Sequence, residues 1–273
     1  MAQYRKDTNA YLGNGTTIFE VNMLADQDGN VINSFGSTGN IPISANNVVG
    51  YSRVHKFGLI DDTSSAAWST IWTAGETNGQ HAYPWDLAAN TVTVVSTSGQ
   101  DAAAGSGALT IRVQGLDASY NFAQEDFTMT GATPTAAGSQ TFLRVNRAYV
   151  LTGDTNVGAI EVKNGTTVVT EIKELMGQTL QTLYTVPAGK TAYLNEMQVT
   201  SNKNKSIIIG LFIREFGGVW RIRQSTALYG SDHTTSFSTP YRIPEKSDID
   251  MRAQGSAGET IAADFEMVLV DNP

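Results

Sequence analysis

The amino-acid sequence predicts an all-β fold: two β-sandwich domains of the jelly-roll or immunoglobulin-like type, preceded by an extended N-terminal arm. In many short segments apolar and polar residues alternate, as in 261–270, where the odd-numbered positions from Ile261 to Leu269 are apolar. This period of two is typical of strands that cover a core on one face and meet water on the other. Glycine, proline and asparagine separate these segments, and long helix-period patterns are missing.

Composition narrows the classes of function. The chain has 273 residues, and 16% of them are charged, below the roughly 25% of ordinary soluble proteins. A formal charge of −8 argues against a general nucleic-acid binder, which needs a basic surface. The chain has no cysteine, which excludes disulfides and thiolate chemistry and fits assembly in a reducing cytosol. The N-terminus lacks an apolar stretch, and no run approaches the length of a membrane span, so we expect no membrane partner.

Residues 1–50 are predicted to be the extended arm. Apolar residues there come in small groups separated by Asn, Gly, Ser and Asp, too sparse to fold alone. We expect the arm to pair with the rest of the chain or with a neighbouring subunit, with Ile18, Val21 and Ile41 as contacts. The acidic residues around Asp28-Gly29 resemble the beginning of a calcium-binding loop. The later positions of such a loop are occupied by unsuitable residues, so we predict a simple turn at Asp28-Gly29.

Residues 51–176 are predicted to form the first sandwich. Its candidate strands are 91–97, 108–114, 126–130, 141–152, 157–163 and 166–172. Asn164-Gly165 lies between the last two and indicates a hairpin with a type I′ turn. In the segment 57–75, Trp68, Ile71 and Trp72 have helix spacing, yet 70–72 also fits a strand, so both assignments stay open.

Residues 177–273 are predicted to form the second sandwich. Its candidate strands are 191–200, 206–216, 219–224, 249–253 and 261–270. Turns are expected at 186–190, at Gly217-Gly218 between two strands, and at 242–246. Ser231-Asp232-His233 contains the residue types of a catalytic triad, but its flanks predict a polar loop between strands.

No residue pattern indicates catalysis. His55, His81 and His233 are far apart, without partners at zinc-ligand spacing, and no pair of carboxylates stands out. We therefore expect no enzymatic activity, no catalytic residue, no cofactor and no metal.

Two groups of residues are candidates for contacts. Trp68, Trp72, Tyr83 and Trp85 lie close together in sequence; burial in the core or at an interface is the favoured interpretation, whereas exposed rings would form a platform for sugars. We take Trp72 and Trp85 from this group as interface candidates. The second group surrounds the Gly217-Gly218 turn, and on an acidic chain Arg and Trp there favour salt bridges at an interface. Its members are Arg214, Trp220, Arg221 and Arg223, and we take the first three as interface candidates.

Several strand and turn segments resemble virion structural proteins of tailed bacteriophages, notably marine ones. The segments are 55–58 (HKFG), 141–147 (TFLRVNR), 186–194 (VPAGKTAYL), 216–222 (FGGVWRI) and 243–249 (IPEKSDI). The similarity covers roughly residues 50–273 and implies a β-rich, non-enzymatic component of a virus particle.

The resemblance leads to three functional hypotheses. The first is a capsid decoration or cement protein on the head exterior, located in the virion and assembled in the bacterial cytoplasm. Its partners would be the major capsid protein or tail and neck proteins, and it would form a homo-oligomer such as a trimer. The second is a tail, neck or fibre component. The third is a carbohydrate-binding adhesin that recognises a host-surface glycan.

Overall fold

The computed structural model describes residues 24–25, 31–32, 43–45, 47–61, 63, 67–74, 81–202, 206–255 and 260–273. The chain divides into two compact units, Met1–Ser52 and Arg53–Pro273. Ile18, Val21 and Ile41 lie outside the described residues, so their role in an arm stays a prediction. Within the described ranges, no helix is long and apolar enough to span a membrane.

The predicted all-β class is confirmed, because the strands of the described residues pair antiparallel in several sheets. The strands are, in chain order, β1 (Leu24–Ala25), β2 (Val31–Ile32), β3 (Tyr51–Ile60), β4 (Ser69–Thr70), β5 (Asn90–Thr91), β6 (Thr93–Ser96), β7 (Ala108–Leu116), β8 (Phe122–Thr128), β9 (Thr141–Phe142), β10 (Arg144–Gly153), β11 (Ile160–Asn164), β12 (Thr167–Ile172), β13 (Leu183–Thr185), β14 (Lys190–Ser201), β15 (Ser206–Arg214), β16 (Arg221–Tyr229), β17 (Asp232–Ile243), β18 (Asp248–Gly255) and β19 (Ile261–Asp271).

The first unit contains one described pair of strands. β1 and β2 pair antiparallel, with Leu24 opposite Ile32 and Ala25 opposite Val31. The predicted Asp28-Gly29 turn lies between them, outside the described residues. The antiparallel pairing of its two flanks is what a hairpin requires.

Strands β5 to β12 enclose the first core of the second unit. The strand orders are β10-β7-β8 and β12-β11-β6, and β5 pairs with β9. Alternate residues of these strands point inward and are almost completely buried. Met129, directly after β8, joins this core, whose largest residues are Ile111, Phe127, Met129, Phe142, Ile160 and Ile172.

The hairpin between β11 and β12 forms as predicted, but with a different turn. Asn164 pairs with Thr167, so the two loop residues are Gly165 and Thr166. Gly165 has a φ of 60°, whereas neither Asn164 nor Thr166 has a positive φ. A type I′ turn needs positive φ at both loop residues, so the observed signs are those of type II′.

A buried carboxylate in the loop between β6 and β7 holds this loop in place through hydrogen bonds. The two oxygens of Asp101 accept hydrogen bonds from the Ser96 hydroxyl and from the backbone N–H groups of Ala108, Val157 and Gly158. Burial is the largest single influence on the pKa of Asp101 and raises it, but these four hydrogen bonds together hold it below its ordinary value. The loop is thereby tied to strands on both sides.

The second core lies between two sheets with the strand orders β17-β14-β19-β3 and β13-β18-β15-β16. From β14 onward the chain crosses between the sheets after every strand except β15, which forms a hairpin with β16: β14, β17 and β19 belong to one sheet, and β15, β16 and β18 to the other. This alternation is the pattern of a Greek-key sandwich. The inward residues of β19 are those predicted from the sequence, namely Ile261, Ala263, Phe265, Met267 and Leu269, and all are buried.

Two strands near residue 60 belong to this second sandwich by pairing. β3 lies beside β19, and β4 pairs with β18 through Ser69 and Ala253. The sequence analysis assigned both strands to the first domain, because sequence order was the available guide. The open assignment of 70–72 resolves as extended backbone, since Trp72 forms an isolated bridge with Gln181.

The turns of the second sandwich agree with the sequence, but one strand was missed. Gly217, with a φ of 72°, lies in the predicted hairpin between β15 and β16, and Gly218 N–H donates to the Glu215 carbonyl. Asp232 and His233, predicted in a polar loop, instead begin β17. The first half of β17 is polar and exposed, and the period-two signal appears only toward its end, where Phe237, Tyr241 and Ile243 face the core.

Candidate functional site: the junction of the two sandwiches

The candidate site lies where the two sandwiches of the second unit meet. Along β18, Ile249, Met251 and Ala253 point into the second core, so the residues between them point to the other side of the sheet. Those residues are Asp248, Asp250 and Arg252, and both carboxylates are buried. They are covered by groups from the first sandwich and from the segments 68–74 and 81–86.

A row of four aromatic rings forms the apolar part of the junction. Trp72 packs against Tyr83 at a centroid distance of 5.5 Å, Tyr83 against Trp85 at 4.6 Å, and Trp85 against Trp220 at 5.1 Å. Val168 of the first sandwich and Leu183 of β13 complete the cluster. Such tilted and edge-to-face pairs stabilise by about 0.5–1.5 kcal/mol each beyond their buried area.

Tyr83 ties this row to β10. Its hydroxyl accepts a hydrogen bond from the backbone N–H of Val145 at 3.1 Å. Burial raises the pKa of Tyr83 to about 12, so the phenol stays neutral throughout the physiological range.

Asp250 is fully buried beneath the aromatic row. Its Oδ2 accepts hydrogen bonds from Trp85 Nε1 at 2.9 Å, from the Thr70 hydroxyl at 3.1 Å and from Arg252 Nε at 2.8 Å. Burial raises the pKa of Asp250, although Arg252 opposes this effect. One carboxylate oxygen therefore orients an indole, a hydroxyl and a guanidinium from three segments.

Asp248 links the two sandwiches through a network of ion pairs. Arg144 of β10 donates from Nε to Asp248 Oδ1 at 3.1 Å, and Arg214 of β15 donates from Nη2 to Oδ2 at 2.8 Å. The Thr185 hydroxyl also donates to Oδ1, at 2.6 Å. Arg214 Nη1 reaches Asp86 at 2.8 Å. Burial, the largest influence, lowers the pKa of Arg214, but the two carboxylates raise it above its ordinary value.

The guanidinium groups also lie over the aromatic rings. Arg144 is 5.3 Å from the centre of the Trp85 ring, Arg214 is 4.8 Å from Trp220, and Arg252 is 4.4 Å from Trp220. Desolvated contacts of this kind contribute on the order of 1–2 kcal/mol each. The guanidinium groups, carboxylates and aromatic rings of the junction thus form one packed layer, and this layer holds the two sandwiches together.

Lys56 provides a second bond between the sandwiches. It lies on β3, and its ammonium donates to the backbone carbonyl of Asn146 on β10. The residue is 8% exposed. Burial, and then the charge of Arg147, lower the pKa of Lys56 to about 7.

The pKa of Lys56 predicts a pH dependence of stability. In the unfolded chain its pKa is the ordinary 10.5, so between about pH 7 and 10.5 the unfolded state binds more protons than the folded state. This contribution makes the free energy of unfolding rise with pH across that window. Burying the charged ammonium costs more than its hydrogen bond to Asn146 contributes, so Lys56→Met is expected to raise the free energy of unfolding at pH 6, by about 2 kcal/mol, and to remove this rise. Urea denaturation at pH 6 and 9.5 measures both effects.

Lys190→Met is the matched control for this prediction. Lys190 pairs with Asp271 at a partly exposed position, so its removal should change stability little. Equal pH slopes for the unmodified protein and Lys56→Met would contradict the assigned role of Lys56.

The structure brings together most of the interface candidates from the second unit, but inside the chain. Trp72 is 0% and Trp85 is 5% exposed, so their rings are used in the junction and not at a subunit surface. Arg214 and Trp220 join them there. Arg221 instead lies exposed at the start of β16. The favoured burial is confirmed for Trp72, Tyr83 and Trp85, whereas Trp68 is half-buried against Phe212. The three buried rings cannot serve as a sugar platform.

The sequence analysis missed the acidic half of the junction. Asp248, Asp250 and Arg252 are charged residues that alternate along β18 with the apolar residues Ile249, Met251 and Ala253. Several charges on one strand face, in a sequence with few charges, indicate a face that pairs with another surface. Arg144 lies on the part of β10 that faces the second sandwich, where it pairs with Asp248.

The described residues contain no group of three His, Cys, Asp or Glu side chains that could hold a metal ion. His55 lies 3.7 Å from Asp264 on the outer face of the second sandwich, whereas His233 begins the edge strand β17.

Comparisons with known proteins give little further information. No family model matches the chain, and no curated protein matches it. Among solved structures, the infectious bursal disease virus VP2 subviral particle aligns at 10% identity over 81% of this chain and 72% of that chain, with a TM-score of 0.21. The Gx strain of the same virus aligns at 10% identity over 81% and 76%, with a TM-score of 0.19. TM-scores this low carry no structural argument.

Proposed function

We propose that the chain is a non-enzymatic structural subunit of a virus particle, and that it decorates or cements the exterior of the capsid. Two long exposed edge strands carry this proposal. β16 and β17 end their respective sheets, and most of their residues are exposed. An edge strand presents unpaired backbone donors and acceptors on which a strand of a neighbouring subunit pairs.

Exposed apolar side chains near these edges support the proposal. Val219, Ile222 and Tyr229 are between 48% and 67% exposed, and all lie on β16 or in the turn before it. Clustered apolar residues at a surface are typical of protein–protein contact sites. Meanwhile the junction fixes the two sandwiches to each other, which suits a subunit that transmits load between neighbours.

The resemblance of the strand and turn segments to tailed-phage virion proteins agrees with this role. In this proposal the subunit forms a homo-oligomer such as a trimer, contacts other virion proteins and resides in the virion after assembly in the host cytoplasm. Sizing of the purified chain by light scattering tests the oligomer. A strictly monomeric chain, both free and on the particle, would contradict it.

The copy number per particle tests the decoration role. Quantitative mass spectrometry of purified particles is expected to show hundreds of copies, because a capsid lattice repeats its sites. A handful to a dozen copies would instead place the subunit in the tail, neck or fibre. Absence from purified particles would overturn the virion role altogether.

Deletion of residues 1–50 tests the predicted arm. Because the second unit begins at Arg53 and β3 at Tyr51, the shortened chain should keep its fold. We expect it to unfold in urea like the full chain but to be lost from particles. Incorporation at full occupancy would rule out the arm as an assembly element.

A further inference from the structure

A cavity of about 260 Å³ opens beside the Gly217-Gly218 turn, at the edge of the junction. Both sandwiches contribute to its walls. Tyr120, from the turn between β7 and β8, faces it from the first sandwich, and Phe216 and Lys246 face it from the second. Its volume lies below the roughly 300–1,000 Å³ of sites for drug-sized ligands, so it suits an occupant of one or two small rings.

An exposed aromatic ring forms one wall of the cavity. Phe216 is 64% exposed, and the ring of Tyr120 meets it edge-on at a centroid distance of 5.7 Å. The C–H groups on one face of a sugar ring pack well against such a ring, while the hydroxyls at its edge remain free for hydrogen bonds. Glu215 and the backbone of the glycine turn supply polar groups beside it.

The side chains that line the cavity carry one more positive charge than negative charge. Three of the lining residues are cationic, and two, Glu215 and Asp248, carry carboxylates. Asp248 is occupied by Arg144 and Arg214, and Glu215 pairs with Arg223 at 3.0 Å. Among the described residues no carboxylate pairs with Lys246, whose ammonium lies 5.3 Å from the Phe216 ring centre. A positive group at a pocket mouth of an acidic protein selects for an anion.

The backbone is strained at this cavity. Three non-glycine residues have positive φ among the described residues, and two of them, Tyr120 at 65° and Lys246 at 60°, line the cavity. This conformation is costly for residues with a Cβ atom, and such residues cluster at binding sites where side-chain direction matters. Neither position is a glycine, so both side chains are presented toward the cavity at a cost in stability.

We propose that this cavity binds a saccharide unit that carries a carboxylate. The sugar ring packs on Phe216, the carboxylate pairs with Lys246, and Glu215 accepts hydrogen bonds from sugar hydroxyls. A phosphate is a poorer occupant, because the planar forks of Arg144 and Arg214 that would clamp it are already turned to Asp248. This activity does not rest on the virion role, and either can fail alone.

Saturation-transfer NMR with the full chain tests the site, using the methyl glycosides of glucuronic and galacturonic acid, their neutral parents and acetate. The uronates are expected to bind with a dissociation constant on the order of 1 mM, about fivefold tighter than the neutral parents. Acetate should bind more weakly than either uronate. Binding of acetate as tight as that of the uronates, or no signal from any sugar, would overturn the proposal.

Three variants locate the binding. Lys246→Gly removes the ammonium and suits the positive φ, so it should fold and lower uronate affinity to the level of the neutral sugars. Phe216→Ala, at an exposed position, should abolish binding of both classes. Phe57→Ala, a half-exposed phenylalanine of β3 outside the cavity, should bind as the unmodified chain does. Unchanged uronate binding in Lys246→Gly or Phe216→Ala would refute the assignment.

Discussion

Asp248→Ala is expected to lower the free energy of unfolding by about 3–5 kcal/mol. The change leaves the guanidinium of Arg144, a residue only 4% exposed, without its carboxylate partner. Arg214 keeps Asp86 at 2.8 Å, so the larger part of the loss falls on Arg144. An unpaired buried charge is far more costly than the pair is favourable, which explains the size of the effect. Urea denaturation at neutral pH measures it.

The matched control is Asp126→Ala. Asp126 pairs with Arg112 at 2.7 Å on the surface of the first sandwich, and both side chains are partly exposed. Exposed pairs contribute about 0–1 kcal/mol, so this variant should stay close to the unmodified protein. An equal effect of the two substitutions would show that the junction is hydrated and does not lock the sandwiches together. In that case the two cores should also unfold in separate transitions.

Phe265→Ala is expected to cost about 3–5 kcal/mol. Phe265 is 0% exposed on β19 and lies opposite Met197 of β14. Its truncation removes buried apolar area and leaves a cavity between two sheets that cannot close without moving their strands. Thermal unfolding followed by circular dichroism, with urea denaturation, measures the loss.

Phe122→Ala is the control for Phe265→Ala, because it makes the same substitution at a surface position. Phe122 is 63% exposed at the start of β8, so its truncation should change stability by less than about 0.5 kcal/mol. If Phe265→Ala were as mild as this control, the second core could not be packed as the structure shows.

Local patterns account for what was predictable in the fold. The alternation in 261–270 identified β19 and its inward residues because the period of two is a property of a single strand. The Gly217-Gly218 hairpin was equally local. β17 was missed for the same reason: the first half of this edge strand is polar and exposed, so no alternation marks where it begins.

The sequence identified many of the residues of the junction, but it did not show that they lie together. The aromatic group around Trp72 and the residues around Arg214 were both recognised, yet as two separate surfaces. Asp248, the group that joins them, lies more than 100 positions from Arg144 and was not assigned a role. Nothing local to any of these segments indicates that they meet.

By itself the sequence determined the all-β class, most of the strands and turns, and the burial of the aromatic group, because each depends on short-range periodicity and backbone preference. The tertiary structure alone decided that β3 and β4 join the C-terminal sheets, that the arginines of both sandwiches share one carboxylate, and that a cavity opens beside Lys246. These depend on which distant strands pair, and that choice is made by the summed packing of the whole chain.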